Sequence, residues 1–245
     1  MDSRPEVLLD ELIRAHGGLD RWQSVASLHF SLSSAGLAFS LHQQARALLG
    51  LTVTVHPHAR RVELLDYTRP GWRGVWTPER IWLEDYVGAK VSEREHPRDA
   101  FSQWSRQVSW DALDMLYFAG YALWNYLCFP FLLTQPGVAL ERVASGRGEG
   151  VRRLDVVFAG DFPTHSSRQS FHVDSAGHLL CHDYVADVIG AWAAAANSCQ
   201  GAEAVEGLRF YTRRRVVPRL GSRLVLPGPT LVWIEIDDLR VVMAG

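Results

Sequence analysis

The segment from Leu113 to Leu133 carries only two strongly polar side chains, Asp114 and Asn125. A stretch this apolar either crosses a bilayer or is buried on nearly every side. Gly120 and Pro130 interrupt it, no Lys or Arg flanks it closely, and strand-like segments stand on both sides. Those features weigh against a membrane span. The expectation is a buried helix running from Asp111, whose carboxylate can cap it, to Phe129. With a shorter helical segment at 99–103 it forms a helical insertion over 97–133 that covers or plugs the cavity of a β structure.

Strand signals surround that insertion at near-even spacing. Residues 26–34, 38–44, 52–56, 61–66, 74–77 and 81–86 precede it; 138–143, 153–158, 169–173, 178–186, 207–217 and 231–236 follow it. Turns are expected at Ala35-Gly36 and Thr77-Pro78. The pattern predicts an antiparallel meander. At the N-terminus Ser3 and Glu6 have capping-box spacing, and Pro5 sits in the first helical turn. Gly17-Gly18 ends that helix, and a second short one holds Leu19 to Trp22. The Ala-rich stretch 187–199 reads as a short helix or a covering loop. Residues 145–150 form a Gly-rich loop without the strand-then-helix context of a phosphate site. With no repeat and no dividing linker, 1–245 is expected to be a single domain.

Composition narrows the function. The chain holds 25 basic and 27 acidic residues, so it has no cationic excess with which to neutralise phosphates. Nucleic acid is therefore not an expected partner. Three scattered cysteines, Cys128, Cys181 and Cys199, form no CxxC pair, and the first residues lack a leader pattern; together they point to the cytoplasm. No GxSxG, HExxH, P-loop or dinucleotide glycine pattern occurs, so no cofactor is expected. Six of the nine Trp fall between Trp72 and Trp124, as either core or the wall of a ligand pocket.

Candidate site residues follow from strand parity. On one strand His182 and Tyr184 share a face while Asp183 takes the other, so adjacent His182 and Asp183 cannot form a dyad. If that face turns inward, His182 can move a proton and Tyr184 can donate to an oxyanion. If it turns outward, both are solvated. His165, in Thr164-His165-Ser166, enters the sheet from a loop as a second acid/base group or a turn residue. Substrate-binding candidates are Tyr121, Trp124 and Asn125 on the apolar helix, with Gln169, Tyr211 and Arg213 on strands. Arg213 and Tyr211 share a face that either presents a guanidinium to a carboxylate or meets water. His56-Pro57-His58 has no third ligand at suitable spacing, so no metal is expected.

Several of these segments carry a resemblance. Ala15-His16-Gly17-Gly18-Leu19-Asp20-Arg21-Trp22, Trp110-Asp111, the run from Tyr117 to Tyr126, Thr164-His165-Ser166, His182-Asp183-Tyr184 and Thr212-Arg213-Arg214-Arg215-Val216 resemble an uncharacterised bacterial cytosolic family. That family is similar to the LolA-like, lipoprotein-carrier-like half-barrel proteins. The resemblance implies an α+β fold: a single curved antiparallel β-sheet, a half-barrel, wrapped around helices and enclosing an apolar cavity. This chain departs from the family pattern in carrying Asn197 in place of His and Tyr211 in place of Pro.

Two functions fit these residues. The first is a cofactor-independent enzyme of cyclase, isomerase, lyase or hydrolase type, acting by acid/base catalysis on an apolar small molecule. The alternative is a non-catalytic carrier or binding protein for a lipid or hydrophobic metabolite. A carrier needs few ionisable groups facing inward, so the polar candidates favour the enzyme.

Overall fold

The strand signals resolve into one sheet in a computed structural model that describes residues 4–221 and 224–244. Helices α1 (Pro5–Ala15) and α2 (Leu19–Gln23) lead into β1 (Val25–Ala35), α3 (Leu37–Leu41), β2 (Leu48–His56), β3 (Arg61–Leu65), β4 (Arg73–Trp76), β5 (Arg80–Glu84) and β6 (Lys90–Glu95). Two short 3-10 segments, Pro97–Ser102 and Trp104–Gln107, precede α4 (Ala112–Cys128), and a third, Phe131–Thr134, follows it. The chain then forms β7 (Val138–Ser145), β8 (Arg152–Phe158), β9 (Arg168–Val173), β10 (Leu179–Val185), β11 (Ala194–Val205), β12 (Leu208–Leu220), β13 (Leu224–Val225) and β14 (Val232–Met243).

Every pairing is antiparallel. The order across the sheet is β6-β5-β4-β3-β2-β1-β14-β12-β11-β10-β9-β8-β7, with β13 attached to β12. The first half of the chain thus builds outward from β1 to one edge. The helical segment carries the chain to the opposite edge, and the second half builds back until β14 meets β1. The sheet curves without closing, and α4 packs on its inner face against β2, β3, β4, β5 and β12.

Local sequence explains α4. Asp111 accepts from the Asp114 amide at 2.8 Å and Asp114 accepts from the Asp111 amide at 2.9 Å, a reciprocal cap. Asp114 is fully buried; Arg94 and Arg106 each approach its carboxylate to 2.6 Å and tie the preceding segments to the helix start. Every residue from Asp114 to Cys128 is buried. Gly120 permits this contact, because a Cβ there would lie 2.2 Å from Cγ of Trp76 on β4. No helix among the described residues is long and apolar enough to cross a membrane.

Three segment readings change. The stretch 38–44 is not a strand and Ala35-Gly36 is not a hairpin turn. Gly36, at φ 151°, brings the backbone onto Leu231, and the chain turns into α3, which buries Phe39 against Phe118. The Ala-rich stretch is a loop only to Ala193. From Ala194 it is β11, where Ala195 and Ala196 are both buried and contact on both faces overrides the weak strand propensity of Ala. Charged β6, unrecognised in the sequence, is the edge strand that such a composition suits. Pro5 does sit in the first turn of α1, and Gly17 and Gly18 do end it at positive φ; Ser3 lies outside the described residues.

Candidate functional site

Strand parity turns His182 and Tyr184 inward and Asp183 to the opposite face. There Arg147, from the loop between β7 and β8, forms a bidentate pair with Asp183, and His172 approaches it at 3.1 Å. Burial pushes the Asp183 carboxyl up, but the hydrogen bonds from Arg147 and His172 overcome this and hold it well below the usual range. Asp183 is a structural anchor away from the inner face.

Two hydrogen-bonded chains converge inside. In one, the hydroxyls of Tyr121 and Tyr126, both on α4, bracket His165: Tyr121 Oη lies 3.2 Å from Nδ1 and Tyr126 Oη 2.8 Å from Nε2. Tyr126 Oη also meets Tyr184 Oη at 3.1 Å. In the other, Asn125 donates to the carbonyls of Tyr121 and Pro163, both at 2.7 Å, and accepts from Thr164 Oγ1 at 2.8 Å. Gln169 Nε2 donates to Thr164 Oγ1 and to the Ser166 carbonyl. Its Oε1 then faces His182 Nε2 at 2.5 Å. An amide oxygen only accepts, so His182 carries its proton on Nε2. Ring contacts join the chains, with the His182 centroid 4.9 Å from that of Tyr184 and 6.1 Å from that of His165. His165 also stacks on Tyr184 at 3.8 Å, and His182 on Phe171 at 4.4 Å.

These groups are neutral. Burial, and then the positive charge of Arg214, lower the His182 pKa to about 3. Burial first, then His182, hold His165 well below its ordinary value. Burial raises Tyr126 to about 12 and Tyr184 and Tyr121 well above the phenol range. A general acid or base working near pH 7 needs a pKa near 7. Neither histidine has one.

The structure therefore gathers His182, His165, Tyr184, Tyr121, Asn125 and Gln169, and leaves three candidates outside. Trp124 donates to the Pro57 carbonyl at 3.0 Å and packs on Trp76 and Phe162, on the side of α4 facing the first half of the sheet. Tyr211 is buried, but it receives the Leu179 amide at 2.6 Å and meets His16 Nε2 at 3.2 Å, tying the end of α1 to the sheet. Arg213 is exposed; the inward arginine is Arg214. His56 faces Glu63 and His58 the Trp22 carbonyl. Of the clustered tryptophans, Trp76, Trp110 and Trp124 are core and Trp104 is exposed.

Sequence reasoning missed Arg214 and Tyr126. Tyr126 lies within the motif run, but its partners are 39 and 58 residues away. Arg214 is masked by its two flanking arginines. The only clue was its parity with apolar Phe210 and Val216.

Two small hollows flank Tyr126 along the seam between α4 and the sheet. One, of about 20 Å³, is lined by apolar side chains including Leu32, Phe39, Ala119, Ala122 and Val216. The other, about 10 Å³, touches Asn125, Tyr126, Phe171, Leu179, His182 and Arg214. Each has room for about one water.

An open antiparallel sheet curved around one buried helix, with an apolar seam between them, is the LolA-like half-barrel. No protein-family model and no curated protein matches the chain. Among solved structures it is similar to a LolA superfamily protein from Nitrosomonas europaea, at 8% identity over 98% of this chain and 94% of that one, with a TM-score of 0.53. It is also similar to a DUF1329 family protein from Desulfovibrio piger, at 12% identity over 98% and 94% of the two chains, with a TM-score of 0.50. These likenesses establish the fold.

Proposed function

We propose that the protein binds a hydrophobic small molecule in the seam between α4 and the concave face of the sheet, as a carrier or binding protein. The observation that carries this reading is the asymmetry of that seam. On one side Gly120 and Trp76 leave no gap. On the other, Ala119 and Ala122 present small side chains to an apolar hollow reaching β1, β12 and β14. The hollow is small in this closed state, so a ligand enters by displacing rings such as Phe39 and Phe118 or by shifting α4.

The polar candidates fit this reading better than acid/base catalysis. Their hydrogen-bonding capacity is largely spent on one another, and both histidines are held neutral. An interior of satisfied, neutral groups orients a guest without exchanging protons with it. Cys128, Cys181 and Cys199 are free thiols, which supports placing this activity in the cytoplasm.

The test uses the neutral fluorescent probe N-phenyl-1-naphthylamine. The wild type is expected to bind it, and Ala122→Leu, which fills the hollow, to weaken binding at least about tenfold. Equal binding by both proteins overturns the site, and no binding by the wild type overturns the function.

A further inference from the structure

One group on the inner face lacks what its chemistry demands. Arg214, on β12, is 4% exposed. A guanidinium is charged at any physiological pH and presents five N–H donors. Here Nη1 donates to Cys199 Sγ at 3.0 Å, Nη2 donates to the Tyr126 carbonyl at 3.4 Å, and Nε has no partner. Its central carbon lies 4.3 Å from the centre of the Tyr126 ring. Among the described residues no carboxylate pairs with it. Burial raises the Cys199 thiol, so the sulfur is no anion either. A buried charge without a counter-ion is strongly unfavourable, and one aromatic face compensates only part of that cost.

A second buried group is also unsatisfied. Asn197, on β11, is fully buried, and neither its amide oxygen nor its amide nitrogen has a hydrogen-bond partner. It pairs across the ladder with His182, and its amide sits close enough to the Tyr126 hydroxyl to ease that group's ionisation slightly. Buried side-chain amides are nearly always bonded. Arg214 thus borders the polar hollow with an unused donor, and Asn197 lies buried on the adjacent strand with its amide unpaired. Tyr126 lines both hollows, so its ring separates that polar end from the apolar hollow holding Leu32, Ala122 and Ile234.

We propose that Arg214 and Asn197 form the head-group end of the ligand site, and that the ligand is a single-chain amphiphile with an anionic head, a carboxylate or a phosphate monoester. The planar fork of Arg214 matches either head in bidentate fashion. The Asn197 amide supplies one further donor. Rotation of the Tyr126 ring joins the two hollows, so the head meets the arginine while the chain lies along α4. This inference rests on the binding reading above and adds to it the charge and shape of the guest.

The experiment is isothermal titration of the full-length protein with four probes sharing one chain: dodecanoate, dodecyl phosphate, 1-dodecanol and dodecyltrimethylammonium. At least one anion is expected to bind about tenfold or more tightly than the alcohol, with the cation weakest. Arg214→Met, which removes the charge at similar volume, is expected to reduce the anion to the level of the alcohol. Alcohol affinity should stay within about threefold. A preference for dodecanoate identifies a fatty-acid head, and one for dodecyl phosphate a phosphate head; either supports the proposal. An alcohol that binds the wild type as tightly as both anions overturns the head-group site and leaves the binding function standing. Failure of all four probes overturns both. If Arg214→Met does not fold, judged by circular dichroism, the ranking of the four probes on the wild type decides alone.

Discussion

Acidification from pH 7 to pH 5 is the perturbation that the buried interior answers most directly. His182 titrates at about 3 in the folded chain and His16 at about 4, against 6.5 for a free imidazole, and His165 is also held far down. All three are depressed first by burial. A histidine kept neutral by the fold contributes its full share of stability above the unfolded pKa. It withdraws that share as pH falls from 6.5 toward the folded pKa, because the unfolded chain takes up the proton first. At pH 5 each unfolded imidazole is almost fully protonated and each folded one is not. The loss between pH 7 and 5 is then about 2 kcal/mol each for His182 and His16, about 4 kcal/mol together, and His165 adds to it in the same direction. That is a large part of the total stability of many domains. Carboxylates act mostly at lower pH. Glu63, Asp155 and Asp183 are held down and withdraw stability below the ordinary carboxylate range, whereas Asp114 and Asp187 are raised and oppose the loss. Urea unfolding followed by tryptophan fluorescence at pH 7, 6 and 5 measures the effect. His182→Gln, which cannot take a proton, should lose about 2 kcal/mol less than the wild type over the same interval. A wild-type unfolding free energy unchanged from pH 7 to 5 would refute the assignment of neutral buried histidines.

Other substitutions probe separate contacts. Gly120→Ala places a methyl group against Trp76; the overpacking is expected to outweigh the helix-propensity gain and destabilise the fold by about 1–3 kcal/mol in urea unfolding. Tyr126→Phe removes the hydroxyl shared by His165 and Tyr184, for a loss of about 1–3 kcal/mol, and full retention of stability would show that this hydroxyl does not bridge the two. Asp114→Asn leaves Arg94 and Arg106 without their buried carboxylate; about 3 kcal/mol should go, with faster proteolysis of the Pro97–Gln107 segment.

Much of the architecture was legible because it rests on local rules. The apolar run and Asp111 define α4, period-2 alternation orders most of the strands, and parity alone separates His182 and Tyr184 from Asp183. What was not legible depends on contacts distant in sequence. The alanines of β11 are strand residues because neighbours cover both faces, and alanine has no strand preference to announce it. Charged β6 carries no apolar alternation because it closes an edge. Gly36 forces a helix where the residues after it alternate well enough for a strand. Of three consecutive arginines, the one turned inward is fixed by the register of β12 against β11 and by the Tyr126 ring above it. The loop histidine stands out by its chemistry alone, but the hydroxyls that bracket it come from α4 and leave no mark near it in sequence.

The attachment of α4 gives these details a common logic. Toward the first half of the sheet the helix is fixed by interlocked packing of Gly120 on Trp76, with hydrogen bonds from Trp124 to the Pro57 carbonyl and from Tyr67 to the Ala112 carbonyl at 2.6 Å added to it. Toward the second half it is held by side-chain hydrogen bonds from Tyr121, Asn125 and Tyr126, and by the hydrophobic surfaces that bound the hollows. Close-packed shape resists displacement in any direction, because each small shift opens a void or makes a clash. Hydrogen bonds can be exchanged for others at low net cost. Room for a guest is therefore made at least cost where hydrogen bonds rather than interlocked rings hold the helix, beside Tyr126, which lines both hollows, and near Arg214 and Asn197, whose side chains keep unpartnered atoms.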